Sequence, residues 1–164
     1  MKRNTIIGLV VAFVGAIIFF VQYKKYNIPP KVAFPDLELI DLNGQPVDWN
    51  TQQKPVFINF FGTWCVDCLK EMPDLVILYA SLQRAGIDMI LISEEPIETL
   101  NKYKNSSALP MKIYHSNKAF KDIGIFTYPT SYLINKEQKL VYSATRVQNW
   151  TDEKLKNELL ESVK

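Results

Sequence analysis

Residues 57–73 read FINFFGTWCVDCLKEMP. The apolar, aromatic run Phe57, Ile58, Phe60, Phe61 stops at Gly62-Thr63, and Trp64 leads into Cys65-Val66-Asp67-Cys68, after which the residues favour helix. That is the pattern of a buried strand feeding a helix whose first turn carries both cysteines. They are the only two in the 164 residues, which excludes a framework of several structural bridges. They pair with each other, bind something, or do chemistry. A helix start favours chemistry, because its unpaired N–H groups and positive dipole end stabilise an anion and the thiolate is the nucleophilic form of cysteine. Cys65, nearer the terminus, is then the attacking thiol and Cys68 the resolving one. A structural zinc site needs two further ligands, and the chain offers no other cysteine and one histidine, His115. No metal or cofactor is predicted.

Working outward, Pro55 to Phe61 is the central strand and Val66 to Arg84 the helix, which Pro73 should kink. Phe34 to Ile40 and Gln45 to Trp49, joined through Asn43-Gly44, read as a β-hairpin. Ile87 to Ser93 is a second buried parallel strand. Between Glu94 and Gly124 the pattern is weaker: a short helix over Ile97 to Tyr103, a short strand over Met111 to Tyr114 and a helical turn over Lys118 to Ile123. Thr130 to Ile134 and Leu140 to Ala144 form a second hairpin, and Thr151 caps an amphipathic helix ending at Val163. Strands alternating with helices and closing in a hairpin give a mixed sheet covered on both faces.

Charge divides the chain. The formal net charge is +2, yet Lys2, Arg3, Lys24, Lys25 and Lys31 precede residue 32, leaving 14 basic and 17 acidic residues (net −3) in the body. Nothing there suggests nucleic-acid binding. Asn4 to Tyr23 is uncharged, and twenty such residues match a hydrocarbon core of roughly 30 Å. This is a transmembrane helix or a signal peptide. Val14-Gly15-Ala16 loosely resembles a cleavage site, but apolar residues continue through Val21, which favours an uncleaved anchor. Lys2, Arg3 and the amino terminus face Lys24 and Lys25, and this balance tips weakly toward N-in. Residues 1–31 are therefore expected to be anchor and short linker, stiffened by Pro29-Pro30, and residues 32–164 the functional domain.

Trp-Cys-x-x-Cys after a strand, with Pro73 five residues past Cys68, resembles the thioredoxin superfamily. Asn59, six before Cys65, and Glu71, three after Cys68, narrow the likeness to the membrane-anchored TlpA/ResA-like thiol-disulfide oxidoreductases, over about residues 34–164. The resemblance implies an α/β thioredoxin-like fold with an N-terminal β-hairpin and a central insertion, preceded by one transmembrane helix. It implies a redox-active Cys65-Cys68 disulfide and a cis Pro129 lying against it, although only about 5–6% of X-Pro bonds are cis in general. Trp64, Tyr128, Pro129 and Thr130 would then bind the substrate strand. Glu71 shares a helix face with Cys68 and can move protons beside the thiols, where the family places an acid in the active-site cavity. On the residues alone it could equally be a solvated helix position. Asn59 replaces the buried aspartate of thioredoxin. Asp67 stands where the family usually has proline, and Ala144-Thr145-Arg146 where it often has glycine.

The activity so implied is reduction of client-protein disulfides outside the cytoplasm, in the periplasm or its equivalent, with an apocytochrome c among the clients the family suggests and electrons from a membrane thiol transporter of the CcdA/DsbD type. A dithiol oxidant or isomerase would use the same residues. A copper-binding carrier would need His115 or a methionine beside the cysteines. A peroxidase would need a threonine three residues before the reactive cysteine, where this chain has Gly62.

Overall fold

A computed structural model of the protein describes residues 3–164, with burial and side-chain contacts for residues 7–164 other than Pro35 and Asn50. Lys2, and its part in the charge balance across the apolar segment, lies outside the described residues. Six strands, β1 (Leu39–Asp41), β2 (Val56–Phe60), β3 (Asp88–Ser93), β4 (Lys112–Ser116), β5 (Thr130–Ile134) and β6 (Leu140–Thr145), form one sheet in the order β1-β4-β3-β2-β5-β6. β2, β3 and β4 are parallel, while β1, β5 and β6 each run antiparallel to a neighbour. The helices are α1 (Arg3–Asn27), α2 (Val66–Arg84), α3 (Ile97–Ser107) and α4 (Glu153–Ser162).

Every residue of β2 is buried, as a central strand covered on both faces must be. Its pleat sends Phe57 toward the core that contains Leu75, Leu78, Leu82, Trp150 and Leu159, and Val56, Ile58 and Phe60 toward a second core with Phe34, Trp49, Phe120 and Tyr132. Asn59 shares the side of Phe57. On α2, Cys68, Glu71, Met72, Leu75, Leu78 and Leu82 are buried at three- and four-residue spacing, so the inward stripe of the helix begins at a cysteine and includes a carboxylate. α2 is a single helix through Pro73, which lies on its exposed side.

The N-terminal hairpin is realised only in part. Gly44, at φ +80°, closes the turn, and Asp41 N and Val47 N donate to Gln45 O and Leu39 O. Phe34–Leu37 and Trp49–Thr51 are instead 3-10 turns, and β1 pairs with β4. Pro35 and Pro46 have no N–H to give a ladder, and Phe34 and Trp49 stack at 5.1 Å in the second core rather than lying along strands. The middle section is more ordered than its sequence suggests: α3 extends to Ser107, and β4 is an interior member of the sheet. The cap of α4 is Asp152, whose Oδ1 accepts from Leu155 N at 2.8 Å, and not Thr151.

Ile7–Asn27 is long and apolar enough to cross a membrane and is not buried in the protein. Among the described residues, neither core contains one before Val32. The chain leaving α1 nevertheless touches the body: Thr127 Oγ1 donates to Tyr26 O and Tyr132 Oη to Pro30 O, each at 2.8 Å.

Candidate active site

Cys65 and Cys68 form a disulfide, their Cα atoms 5.2 Å apart. Cys65 is the N-cap of α2, and its Sγ accepts a hydrogen bond from Cys68 N at 3.1 Å. The sulfur therefore occupies the place where a helix start supplies donors to an anion. Cys65 is 7% exposed and Cys68 0%, so both are largely buried and only Cys65 keeps contact with solvent. Trp64 is 62% exposed, with its ring edge-on to Tyr128 at 5.2 Å. It folds over Gly62, where a Cβ would come within 2.8 Å of the indole. A side chain at this position, the threonine a peroxidase would need included, would displace the Trp64 ring.

The Tyr128–Pro129 peptide is cis, as the resemblance implies. Pro129 O accepts from Arg146 N at 2.7 Å, and Thr127 O from Thr130 Oγ1 at 2.7 Å. Among the described residues, the Tyr128 carbonyl accepts no hydrogen bond. Thr130 itself is buried and pairs with Phe60 and Thr145 in the sheet, so its side chain supports the loop from behind.

Glu71 is 1% exposed. Its Oε1 accepts from Asn59 Nδ2 at 2.8 Å, and its Oε2 from Trp150 Nε1 at 3.0 Å and Gln148 N at 3.4 Å. Asn59 Nδ2 also reaches Ser131 Oγ at 3.0 Å, while Asn59 Oδ1 is buried with no partner. Burial raises the Glu71 pKa to about 7, against the three donors, which lower it, and with a small further rise from Asp74. Such a carboxyl gains and loses its proton near neutrality, which is what thiol chemistry requires of an acid-base partner.

The family model described as "AhpC/TSA family" matches residues 30–143. The chain is 30% identical to the thiol-disulfide oxidoreductase ResA of Bacillus cereus, covering 86% of this chain and 88% of that one. It is 31% identical to ResA of Geobacillus thermodenitrificans, over 100% and 95%. The chain belongs to the AhpC/TSA family, as a ResA-like thiol-disulfide oxidoreductase. A putative thiol:disulfide interchange protein DsbE from Chlorobium tepidum has the same thioredoxin-like fold, with a TM-score of 0.66 at 16% identity over 85% of this chain and 96% of that one.

Within this ResA-like frame, four residues that the sequence did not single out stand at the site, Trp150, Glu94 and Glu95 through their side chains and Gln148 through its backbone N–H. Trp150 and Gln148 come from the β6–α4 connection, 79 and 77 residues from the Glu71 they bond. Glu94 and Glu95 follow β3 and brace both flanks of the disulfide. Glu95 Oε2 and Oε1 accept from Thr63 N at 2.6 Å and Thr63 Oγ1 at 2.7 Å, and Glu94 accepts from Phe120 N at 2.5 Å and Tyr128 Oη at 3.3 Å. Only long-range contacts single these residues out, so no local pattern could have found them. Glu71 is different, since it sits on the inward stripe of α2. Asp67 points outward and pairs with Lys70 at 3.3 Å on the exposed surface, where water screens it from the thiols. His115 Nδ1 lies 2.9 Å from Glu95 O, in the wall of a groove of about 770 Å³ that Trp64 and Tyr128 also line.

Proposed function

We propose that the chain is a single-pass protein, anchored N-in by residues 1–31, whose domain from residue 32 reduces disulfides of client proteins on the extracytoplasmic side. The Cys65 thiolate attacks one sulfur of a client disulfide, forming a mixed disulfide and expelling the other sulfur as thiolate. The Cys68 thiolate then attacks Cys65 Sγ and releases the second client thiolate. The client gains two electrons and two protons, and Cys65-Cys68 becomes the disulfide. A membrane dithiol carrier of the CcdA/DsbD type returns it to the dithiol. Trp64 and the cis loop Tyr128-Pro129-Thr130 receive the client strand, with the unoccupied Tyr128 carbonyl as its main-chain acceptor, and Glu71 exchanges the Cys68 proton. An apocytochrome c haem-binding motif is a client of suitable chemistry.

The observation that carries this reading is the inequality of the two cysteines: Cys65 keeps some solvent contact at the helix mouth and its sulfur is hydrogen-bonded there, whereas Cys68 is wholly enclosed behind it. Cys68→Ser should trap clients as mixed disulfides in the native membrane, while Cys65→Ala traps none and loses reductase activity. A Cys65→Ala protein that still reduced disulfides at the parent rate would end the proposal. The direction of flow is read from the reduction potential of the pair. A value below about −250 mV supports a reductant, and one near about −120 mV an oxidant.

A further inference from the structure

The acceptors and donors behind Cys68 are unevenly matched. Two carboxylate oxygens of Glu71 receive three N–H donors, from Asn59, Trp150 and the Gln148 backbone, while Asn59 Oδ1, buried in the same cluster, receives none. The indole N–H and the backbone N–H can only donate, so both favour a charged carboxylate. The amide of Asn59 is the one member able to present either a donor or an acceptor, because a half-turn about its last bond exchanges Nδ2 for Oδ1. Ser131 Oγ, 3.0 Å away, adapts to both orientations since a hydroxyl donates and accepts.

Trp150 is also the most firmly held member. Its ring is 1% exposed, edge-on to Phe57 at 5.1 Å and to Tyr142 at 6.3 Å. The N–H is therefore aimed by packing on two strands and does not depend on Glu71 for its direction. Two other ionisable groups act on the carboxyl. Asp74, one turn further along α2, opposes its ionisation, and Tyr142 on β6 has its own pKa raised, chiefly by burial and then by Glu158 and Glu71, so it stays neutral through the working range. Cys68 is the remaining titratable neighbour, one turn toward the start of the helix.

We propose that Trp150 is a positioning residue for the exchange reaction: its indole N–H orients the Glu71 carboxyl one turn below Cys68 and favours its ionised, proton-accepting form against burial, while the Asn59 amide reorients to match either protonation state. This rests on the reading of Cys65 and Cys68 as attacking and resolving thiols. In the resolving step the Cys68 thiol gives its proton to the Glu71 carboxylate. The resulting thiolate attacks Cys65 Sγ, the Cys65–client S–S bond breaks, and its electron pair leaves on the client sulfur, which takes a proton from solvent. The Glu71 acid, its Oε1–H now donating a hydrogen bond to Asn59 Oδ1, finally returns the proton to water.

The test uses the full-length reduced protein in detergent and dithiobis(nitrobenzoate), which releases one thionitrobenzoate when Cys65 attacks and a second when Cys68 resolves. The pH profile of the second release is the readout. Trp150→Phe keeps an aromatic ring, though a smaller one, and removes the donor, so the apparent pKa of that step should rise by about one unit, about a tenfold gain in proton affinity of Glu71, with the first release unchanged. In a Glu71→Gln background the same substitution should leave the profile unaltered. An unshifted Trp150→Phe profile, or a shift that persists in the Glu71→Gln background, overturns the inference. Absence of the first release would instead overturn the thiol assignment beneath it. In the unsubstituted protein, which needs no variant to fold, the Trp150 indole N–H resonance should titrate with the midpoint of the second release. An indole signal that is flat across that midpoint also overturns the inference.

Discussion

At Glu71 burial and hydrogen bonding oppose each other, and burial wins, leaving a pKa of about 7 where an exposed glutamate has 4.5. The consequence for stability follows from proton counting. Between pH 4.5 and 7 the folded chain holds a proton that the unfolded chain has released, so stability contributed by this group is complete below pH 4.5 and is lost as pH rises through 7. Glu71→Gln removes the titration while keeping an acceptor for Trp150. Relative to the parent it should be near neutral at pH 4.5 and stabilising by up to about 3 kcal/mol at pH 8, seen in urea midpoints across that range. Parallel midpoints for the two proteins would mean that Glu71 titrates as an exposed acid. The position of this carboxylate was legible, because three residues along a helix from Cys68 is a matter of spacing. What it would meet was not, since its donors lie on β2 and beyond β6. Arg146 shows a departure that the sequence located and the backbone explains: its φ is +66°, the left-handed region where the resemblance expects glycine, and its N–H fastens Pro129 O.

At the scale of elements, the mouth of α2 is held by a carboxylate from another part of the chain. Thr63 presents both its N–H and its hydroxyl to Glu95, two residues past the end of β3. Glu95→Ala strips both bonds and leaves a half-buried N–H without an acceptor, at a cost of about 2–3 kcal/mol. Glu95→Gln retains one carbonyl acceptor and should lose less than half as much. Thermal unfolding of the two variants measures the ratio, and equal losses would show that the charge, not the geometry, carries the contact. The same contrast between local and distant partners decides which elements were legible. β2, α2 and β3 follow from periodicity and from a glycine or proline at their ends. The first hairpin does not, because a period of two says that a segment suits a strand without saying which strand it joins, and β1 found β4, 73 or more residues away.

The whole molecule is a sheet with a core on each face and an apolar helix that belongs to neither. The border between helix and body is set by hydrogen bonds, not by composition. Lys31 and Val32 mark where charge and apolar pattern change, yet the body reaches back past them: the buried Tyr132 has its hydroxyl on Pro30 O, Thr127 its hydroxyl on Tyr26 O, and Pro30 packs against Gly124, where a Cβ would stand 3.2 Å away. A chain cut before Ile28 keeps the Tyr132 acceptor, whereas one cut before Val32 removes it. Both retain the two cores and should fold, and the shorter should be less stable by about 1–3 kcal/mol, a difference that denaturant midpoints resolve. Tyr132→Phe discriminates the cause. It should bring the two chains to within a few tenths of a kcal/mol of each other, because the phenylalanine ring fills the same space and asks nothing of Pro30. If the gap survives that substitution, packing of the prolines, and not the hydrogen bond, ties the linker to the body.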